Sequence, residues 1–447
     1  MRNSATARLV VMGGLALALS VPLAWVYSIV SERATRREAA VHEVSSTWGG
    51  PQIVSGPVLA VPYTIAWIDG NGRPQRSVNR AFVLPRDLQV DGQLATEKRK
   101  RGIFEVAVYR ATLKVTGKFV RPDLAWIRPA PEHVDWDQAV VLVGITDPRG
   151  VARRAALNWR GQSLPFTGGV GDAGLFRSGL HTSVPPLDET AAGVELPFDF
   201  SLELNGTRDL EFLPAAEETA VSLTSSWPHP SFAGTALPDT RTVEGRGFSA
   251  HWRVQDFGRP YASRWTSADP NREQLATQAS DSAFGVSLIQ PVDIYQQAER
   301  AVKYAVLFIV LTFLTFFLWE VFSPVLLHPM HYAFIGFAMC VFYLLLVSIS
   351  EHTGFDLAYG LSSVVTIGLI AGYARAVLGG LRQGVSVLAA LVTLYGFLYL
   401  LLRLEDYALL AGSIALFVVL AFVMFITRRM NWYDLKLGSM STAETAR

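Results

Sequence analysis

Apolar and charged residues are segregated along this chain by long stretches. Leu9 to Val30 gives 22 residues without a charge, and a mixed, soluble-looking segment follows from Arg33 to Lys303. Five more apolar stretches then appear: Tyr304–Phe322, Tyr332–Ser350, Leu357–Ala374, Val385–Leu402 and Tyr407–Thr427. A hydrocarbon core of about 30 Å needs roughly 20 apolar residues in a helix. The pattern therefore predicts six spans: residues 9–30, 304–322, 332–350, 357–374, 385–402 and 407–427. The fourth is the weakest, diluted by Gly360, Gly368 and Gly372, although glycine in a membrane helix lets neighbouring backbones approach. Arg2 and Arg8 ahead of the first stretch, with Ala16-Leu17-Ala18 inside it, have the form of a cleavable signal. Cutting there leaves a very short apolar core, whereas the run continues to Trp25 and Tyr27, which suit a membrane interface. The expectation is an uncleaved anchor.

Between the spans the period changes to two. In Glu195–Leu204, Leu196, Phe198, Phe200, Leu202 and Leu204 point one way, and Glu195, Asp199, Ser201 and Glu203 the other. That is a half-buried strand. Asn205-Gly206 follows, a dipeptide suited to a tight hairpin, so Leu210–Leu213 is expected to return beside it. Further strands are predicted at Ile103–Tyr109, Thr112–Phe119, Val140–Ile145, Ala156–Leu164, Ala220–Thr224 and Gly247–Val254, bounded by turn residues. Repeated strands with short connections favour a sandwich-like fold. Helical character returns at the two ends of this segment. Arg33–Ser46 reads as a charged extension of the first span. Asp293-Ile294-Tyr295-Gln296 has capping-box form, starting a helix through Gln297, Glu299 and Arg300 into the second span, as a stalk. The fold class expected is a membrane protein with an N-terminal anchor helix, a large mainly-β periplasmic domain over 31–303, and a C-terminal bundle of five transmembrane helices.

Orientation follows from Lys and Arg near the spans. Arg2, Arg8, Arg375, Arg382, Arg428, Arg429 and Lys436 gather on one side. The short loops of the other side, Glu351–Gly354 and Arg403–Asp406, carry only Arg403. Residues 1–8 and 428–447 are thus expected in the cytoplasm and the β domain outside, against a contrary signal from Arg33, Arg36 and Arg37. The net charge of +1 and the lack of a basic run give no reason to expect nucleic acid. The lone cysteine, Cys340, lies in a span and forms no intrachain disulfide.

Ordered motifs along nearly the whole chain resemble the CreD-type inner-membrane family. Trp48-Gly49 with Gln52, Gly56-Pro57 and Val61-Pro62-Tyr63 match its opening. Arg101–Val106 and Asp147-Pro148-Arg149-Gly150 match its middle, and Ser226–Phe232 with Gly234, Gly247-Phe248 and Trp252 its later β region. Arg300–Tyr304, Leu307-Phe308, Phe316–Leu318 with Glu320, Phe342–Leu346 and Ser348–His352 complete it. The resemblance implies a cell-envelope integrity protein of a Gram-negative inner membrane, linked to colicin tolerance and to a two-component regulatory system. It brings no catalytic or binding residues.

The candidate chemistry is sparse. Glu351, His352 and Asp356 are placed to meet Arg403, Glu405 and Asp406 at the outer end, with the groups for a domain-docking or polar network, or for zinc or proton relay; interface residues that meet water or headgroups or cap helices are the simpler reading. His328-Pro329-Met330-His331 lacks the i, i+4 spacing of a helical zinc pair and reads as a turn. Glu320, inside an apolar run, is expected at the interface rather than bonded to a neighbouring helix. Ser225, Ser226, His229 and Ser231 lack a Gly-x-Ser-x-Gly elbow, and Gly168-Gly169-Val170-Gly171 reads as a loop, not a phosphate cradle. No catalytic, cofactor-binding or metal residue is assigned and no cofactor is expected. The leading expectation is a non-enzymatic envelope protein in the lipid bilayer with an unidentified periplasmic or envelope partner. The alternative is a small-solute or lipid-handling transporter.

Overall fold

The computed structural model describes residues 5–171, 173–187, 191–289, 294–322, 327–404 and 407–428. They form two compact units: Met1–Arg37 with Val292–Arg447, and Glu38–Pro291. This is a membrane protein with an N-terminal apolar helix, a large mainly-β domain and a C-terminal cluster of apolar helices.

In the membrane unit, α1 (Ala5–Trp48) supplies its residues up to Arg37. The β unit contains one helix, α2 (Arg272–Asp281). The membrane unit continues with α3 (Ile294–Phe322), α4 (Pro329–Thr353), α5 (Phe355–Leu378), α6 (Leu381–Arg403) and α7 (Ala408–Thr427). Six helices, α1 and α3 to α7, are long and apolar enough to cross a membrane. Connections are short: Gly354, at φ 82°, separates α4 from α5, and Gly379, at φ 76°, ends α5. Asp293 and its predicted cap lie outside the described residues, as do Glu405 and Asp406.

The sequence layout sets the first helix apart from a later bundle, but the structure packs one face of it against that bundle. Met12, Ala16, Leu19, Leu23, Val26 and Val30 of α1 are all buried, alternating steps of four and three that make one stripe along a helix. Leu19 meets α4 at Gly336, where an added Cβ would lie 2.1 Å from its Cδ1. Helix α7 instead buries none of its residues.

The β unit contains β1 (Gln52–Ile68), β2 (Pro74–Val83), β3 (Asp87–Arg101), β4 (Phe104–Val120), β5 (His133–Val134), β6 (Val140–Ile145), β7 (Ala156–Trp159), β8 (Gln162–Pro165) and β9 (Thr167–Gly168). There follow β10 (Gly179–Ser183), β11 (Glu195–Thr207), β12 (Asp209–Phe212), β13 (Glu218–Ser225), β14 (Pro230–Gly234), β15 (Thr240–Glu244), β16 (Gly247–Gln255), β17 (Arg264–Thr266) and β18 (Phe284–Leu288). A ten-stranded sheet runs β14-β18-β12-β1-β6-β10-β9, with β2, β5 and β17 branching from it, and an eight-stranded sheet runs β15-β16-β13-β3-β4-β11-β7-β8. One apolar core spans both sheets, the face-to-face arrangement of a sandwich. Aromatic rings cross it: Phe232 of β14 meets Phe248 and Trp252 of β16 edge-on, at 5.8 and 5.7 Å.

The alternation in β11 is as the sequence predicts, with Leu196, Phe198, Phe200, Leu202 and Leu204 buried. Its turn is not. Asn205 and Gly206 remain in the strand, paired with Arg110 and Tyr109 of β4. A Cβ on Gly206 would lie 2.3 Å from the Tyr109 hydroxyl, so the glycine admits a ring rather than a turn. The chain breaks at Arg208, φ 62°. β12 then joins the other sheet, parallel to β1 and antiparallel to β18. The two strands expected over 103–119 are one continuous β4. The one expected over 156–164 is a hairpin, turned by Arg160 and Gly161 at φ 50° and 86°; two positive φ angles are what a tight two-residue hairpin needs.

Candidate functional site

The most buried charge described is Glu320, 1% exposed. It is shut off from water and bonded to neighbouring elements. Its carboxylate pairs with Arg8 of α1, and accepts from the Leu327 N–H at 3.0 Å and the Tyr332 hydroxyl of α4 at 3.1 Å. Arg8 also donates to the Leu327 carbonyl at 3.4 Å. A lone ion in an apolar interior is costly, but one with a counter-ion and filled lone pairs persists. The site therefore ties α1 to α3 and α4. In the sequence Arg8 bears on the signal pattern and on orientation, and nothing there marks it as the partner of Glu320. The available signal was two opposite single charges, each at an end of an apolar run.

At the opposite end of α4 the predicted outer cluster separates into distinct pairs. Glu351 accepts from the Tyr295 hydroxyl at 3.0 Å and lies 3.7 Å from Arg33 of α1. Asp356 instead binds Arg403 at 2.5 Å and the Tyr399 hydroxyl at 3.1 Å. His352 contacts only its own helix through the Ser348 carbonyl at 3.3 Å, among the contacts described. Glu351 and Asp356 thus serve different helix pairs because each is drawn to a different arginine. Tyr27 donates to Glu299 at 3.0 Å, so α1 is held at several levels along its length. His328 caps α4, its Nδ1 accepting from the Met330 N–H at 3.3 Å, and His331 bonds the Tyr373 hydroxyl at 2.6 Å. Among the described residues, no three His, Cys, Asp or Glu side chains gather as a metal site.

In the β unit, motifs far apart in sequence meet at one junction. The fully buried Gln52 amide donates to the Asp147 carbonyl at 3.0 Å and the Asn205 carbonyl at 3.1 Å, and accepts from the Asp147 N–H at 3.1 Å. Asp147 accepts from the Gly50 N–H at 3.0 Å and takes a two-pronged bond from Arg149, 2.8 Å to each oxygen. Those Arg149 bonds hold the Asp147 carboxyl below the usual carboxylate range; partial burial opposes them and the Gly50 N–H assists. Glycine is required where the strands converge: a Cβ on Gly150 would sit 2.3 Å from the Asn205 carbonyl oxygen. Trp48 donates to the Tyr109 carbonyl at 3.2 Å and lies beneath the Arg99 guanidinium, 3.5 Å from the ring centre.

The serine–histidine segment does not converge. Ser225 bonds the Leu94 carbonyl at 3.1 Å, Ser226 lies 3.3 Å from Thr96, and His229 is exposed. A pair missed in the sequence is Ser222 with His251, 3.0 Å apart across β13 and β16. The strand neighbour beyond His251 is Thr240, not a carboxylate, so the orienting acid of a triad is not in line. An open groove of about 520 Å³ crosses the eight-stranded sheet, lined in part by Asp87, Gln89, Thr116, Lys118, Asp199 and Glu218.

A sequence profile described as Inner membrane protein CreD matches residues 4–433. The chain belongs to the CreD family of inner membrane proteins. Inner membrane protein CreD of Escherichia coli (strain K12) is 34% identical over 437 residues, which is 96% of this chain and 94% of the relative. With its apolar helices, the chain is a multi-pass inner-membrane protein. The CreD motifs read from the sequence occupy the structural positions above: Trp48, Gly49, Gln52 and Asp147–Gly150 build the junction, and Glu320 the buried ion pair.

Proposed function

We propose that this CreD-family protein supports cell-envelope integrity without catalysing a reaction, its β domain lying on the periplasmic side and binding an envelope partner. The observation that carries the reading is the use made of the motif residues. At the Gln52–Asp147–Asn205 junction, both the Gln52 amide and the Asp147 carboxylate are engaged by the protein itself. Such residues hold the fold together and leave function to sites carried on its surface, of which the open groove across the eight-stranded sheet is one available to a partner. The Lys and Arg bias around the spans supports a topology with both termini in the cytoplasm.

The test is photocrosslinking in intact cells from Lys118, Thr116 and Gln89, at the sheet groove, with deletion of the chain scored for detergent and colicin sensitivity. The reading expects a discrete crosslinked partner and altered sensitivity on deletion. Single alanine changes at His229, Glu351, His352 or Asp356 should leave most of the activity, because extended interfaces lose only part of their affinity from most truncations. Complete loss from Asp356→Asn at normal protein level would instead make this group part of a transport or catalytic mechanism.

A further inference from the structure

The packed face of α5 is polar where a membrane helix is ordinarily apolar. Tyr359, Ser362, Ser363 and Thr366 are all buried there, at the i, i+3, i+4 and i+7 positions of one stripe. Helix α5 packs on both α4 and α6. The Tyr359 hydroxyl donates to the Tyr395 carbonyl of α6 at 2.6 Å. The Phe342 ring of α4 meets Tyr359 and Tyr395 edge-on, at 5.6 and 4.8 Å. The stripe thus faces a three-helix seam.

Hydroxyls in membrane helices ordinarily bond back to their own backbone. Others in this unit do so: Thr315 to Leu311 at 3.0 Å, Ser350 to Val347 at 2.8 Å and Thr393 to Ala389 at 2.9 Å. Ser362 and Tyr395 behave differently. Ser362 Oγ and the Tyr395 hydroxyl are buried and have no hydrogen-bond partner among the described residues. Both residues are at most 3% exposed. Both hydroxyls are shut off from water, and lipid offers no substitute partner. A buried polar group of this kind calls for a partner.

We propose that the α4–α5–α6 seam is a binding site for a neutral hydrogen-bonding ligand, and that the ligand is internal water. The chemistry is specific in one respect: the stripe and Tyr395 supply hydroxyls and no charge, so the site does not compensate an ion. Buried waters characteristically take two to four polar partners. The unpartnered hydroxyls of Ser362 and Tyr395 supply two, one from each of two helices.

Thiol reactivity tests this, because the reactive thiolate forms in water and not in hydrocarbon. Full-length protein carrying Cys340→Ala would be reconstituted in lipid nanodiscs and treated with methyl methanethiolsulfonate, a small neutral reagent. Ser362→Cys should react at least tenfold faster than Val364→Cys, which faces outward at 70% exposure on the same helix. Equal rates overturn the proposal. Should the cysteine variant not fold, Ser362→Ala gives a second reading. A hydroxyl that holds water lowers the melting temperature when removed, whereas removal of an orphan in a dry seam leaves it unchanged or raises it. Either of the latter results overturns the proposal.

Discussion

The Arg8–Glu320 pair predicts an asymmetry that simple loss of contacts does not. Arg8→Met keeps most of the apolar stem but leaves the carboxylate, 1% exposed, without its cation. Stranding one member of a buried ion pair costs about 3–5 kcal/mol. Glu320→Gln strands the other member, yet the Arg8 side chain is 20% exposed and has a route to water. The glutamine oxygen still accepts from the Leu327 N–H, and its amide NH2, at the position of the second oxygen, donates to the Tyr332 hydroxyl instead of accepting from it. The change therefore weakens two charge-assisted bonds to neutral ones, about 1 kcal/mol each. Arg8→Met should be the more damaging, and adding Glu320→Gln to it should restore most of the loss. The assay is thermal unfolding of full-length protein in nanodiscs, scored by accessibility of Cys340, which is buried in α4. A double variant no more stable than Arg8→Met, or an Arg8→Met protein as stable as Glu320→Gln, would refute the reasoning.

Other consequences are directly measurable. Phe200→Asp places a charge on a core side chain 5.4 Å from Phe166 and should cost the β unit at least about 3 kcal/mol; Ser201→Asp, on the exposed face, should cost little, and equal tolerance in denaturant titrations would contradict the register. Asp147 titrates below its unfolded value in the folded protein, so its contribution is present above the unfolded pKa and is lost as pH falls through the folded one. Asp147→Asn should accordingly flatten the acid limb of the stability–pH curve below about pH 4, and an unchanged limb would remove the assigned role. For topology, a reporter active only outside the cytoplasm should work when inserted at Gly70, in the described turn after β1, and fail at Arg447; activity at both would exclude cytoplasmic termini with an external β domain.

Local pattern, which requires no knowledge of partners, determined a good deal here. An apolar run of span length has one low-energy fate in a bilayer, so the long helices were legible. So was β11, because alternation of Leu196, Phe198, Phe200, Leu202 and Leu204 against polar neighbours specifies one buried face. The CreD motifs were also legible as motifs. Their shared junction was not, because Gln52, Asp147 and Asn205 are brought together only by strand pairing distant in sequence. Tertiary structure alone decided the role of Gly206, whose local preference for a turn was overridden by the Tyr109 ring above it. It also decided that β12 pairs parallel to β1, since parallel pairing needs a long crossover that leaves no local trace. The same holds for the membrane unit. The charge of Glu320 was visible, but whether it met water or a partner depended on Arg8 at the far end of the chain. Burial and ion pairing are properties of the assembled helices, and the energy that fixes them comes from contacts that no single segment contains.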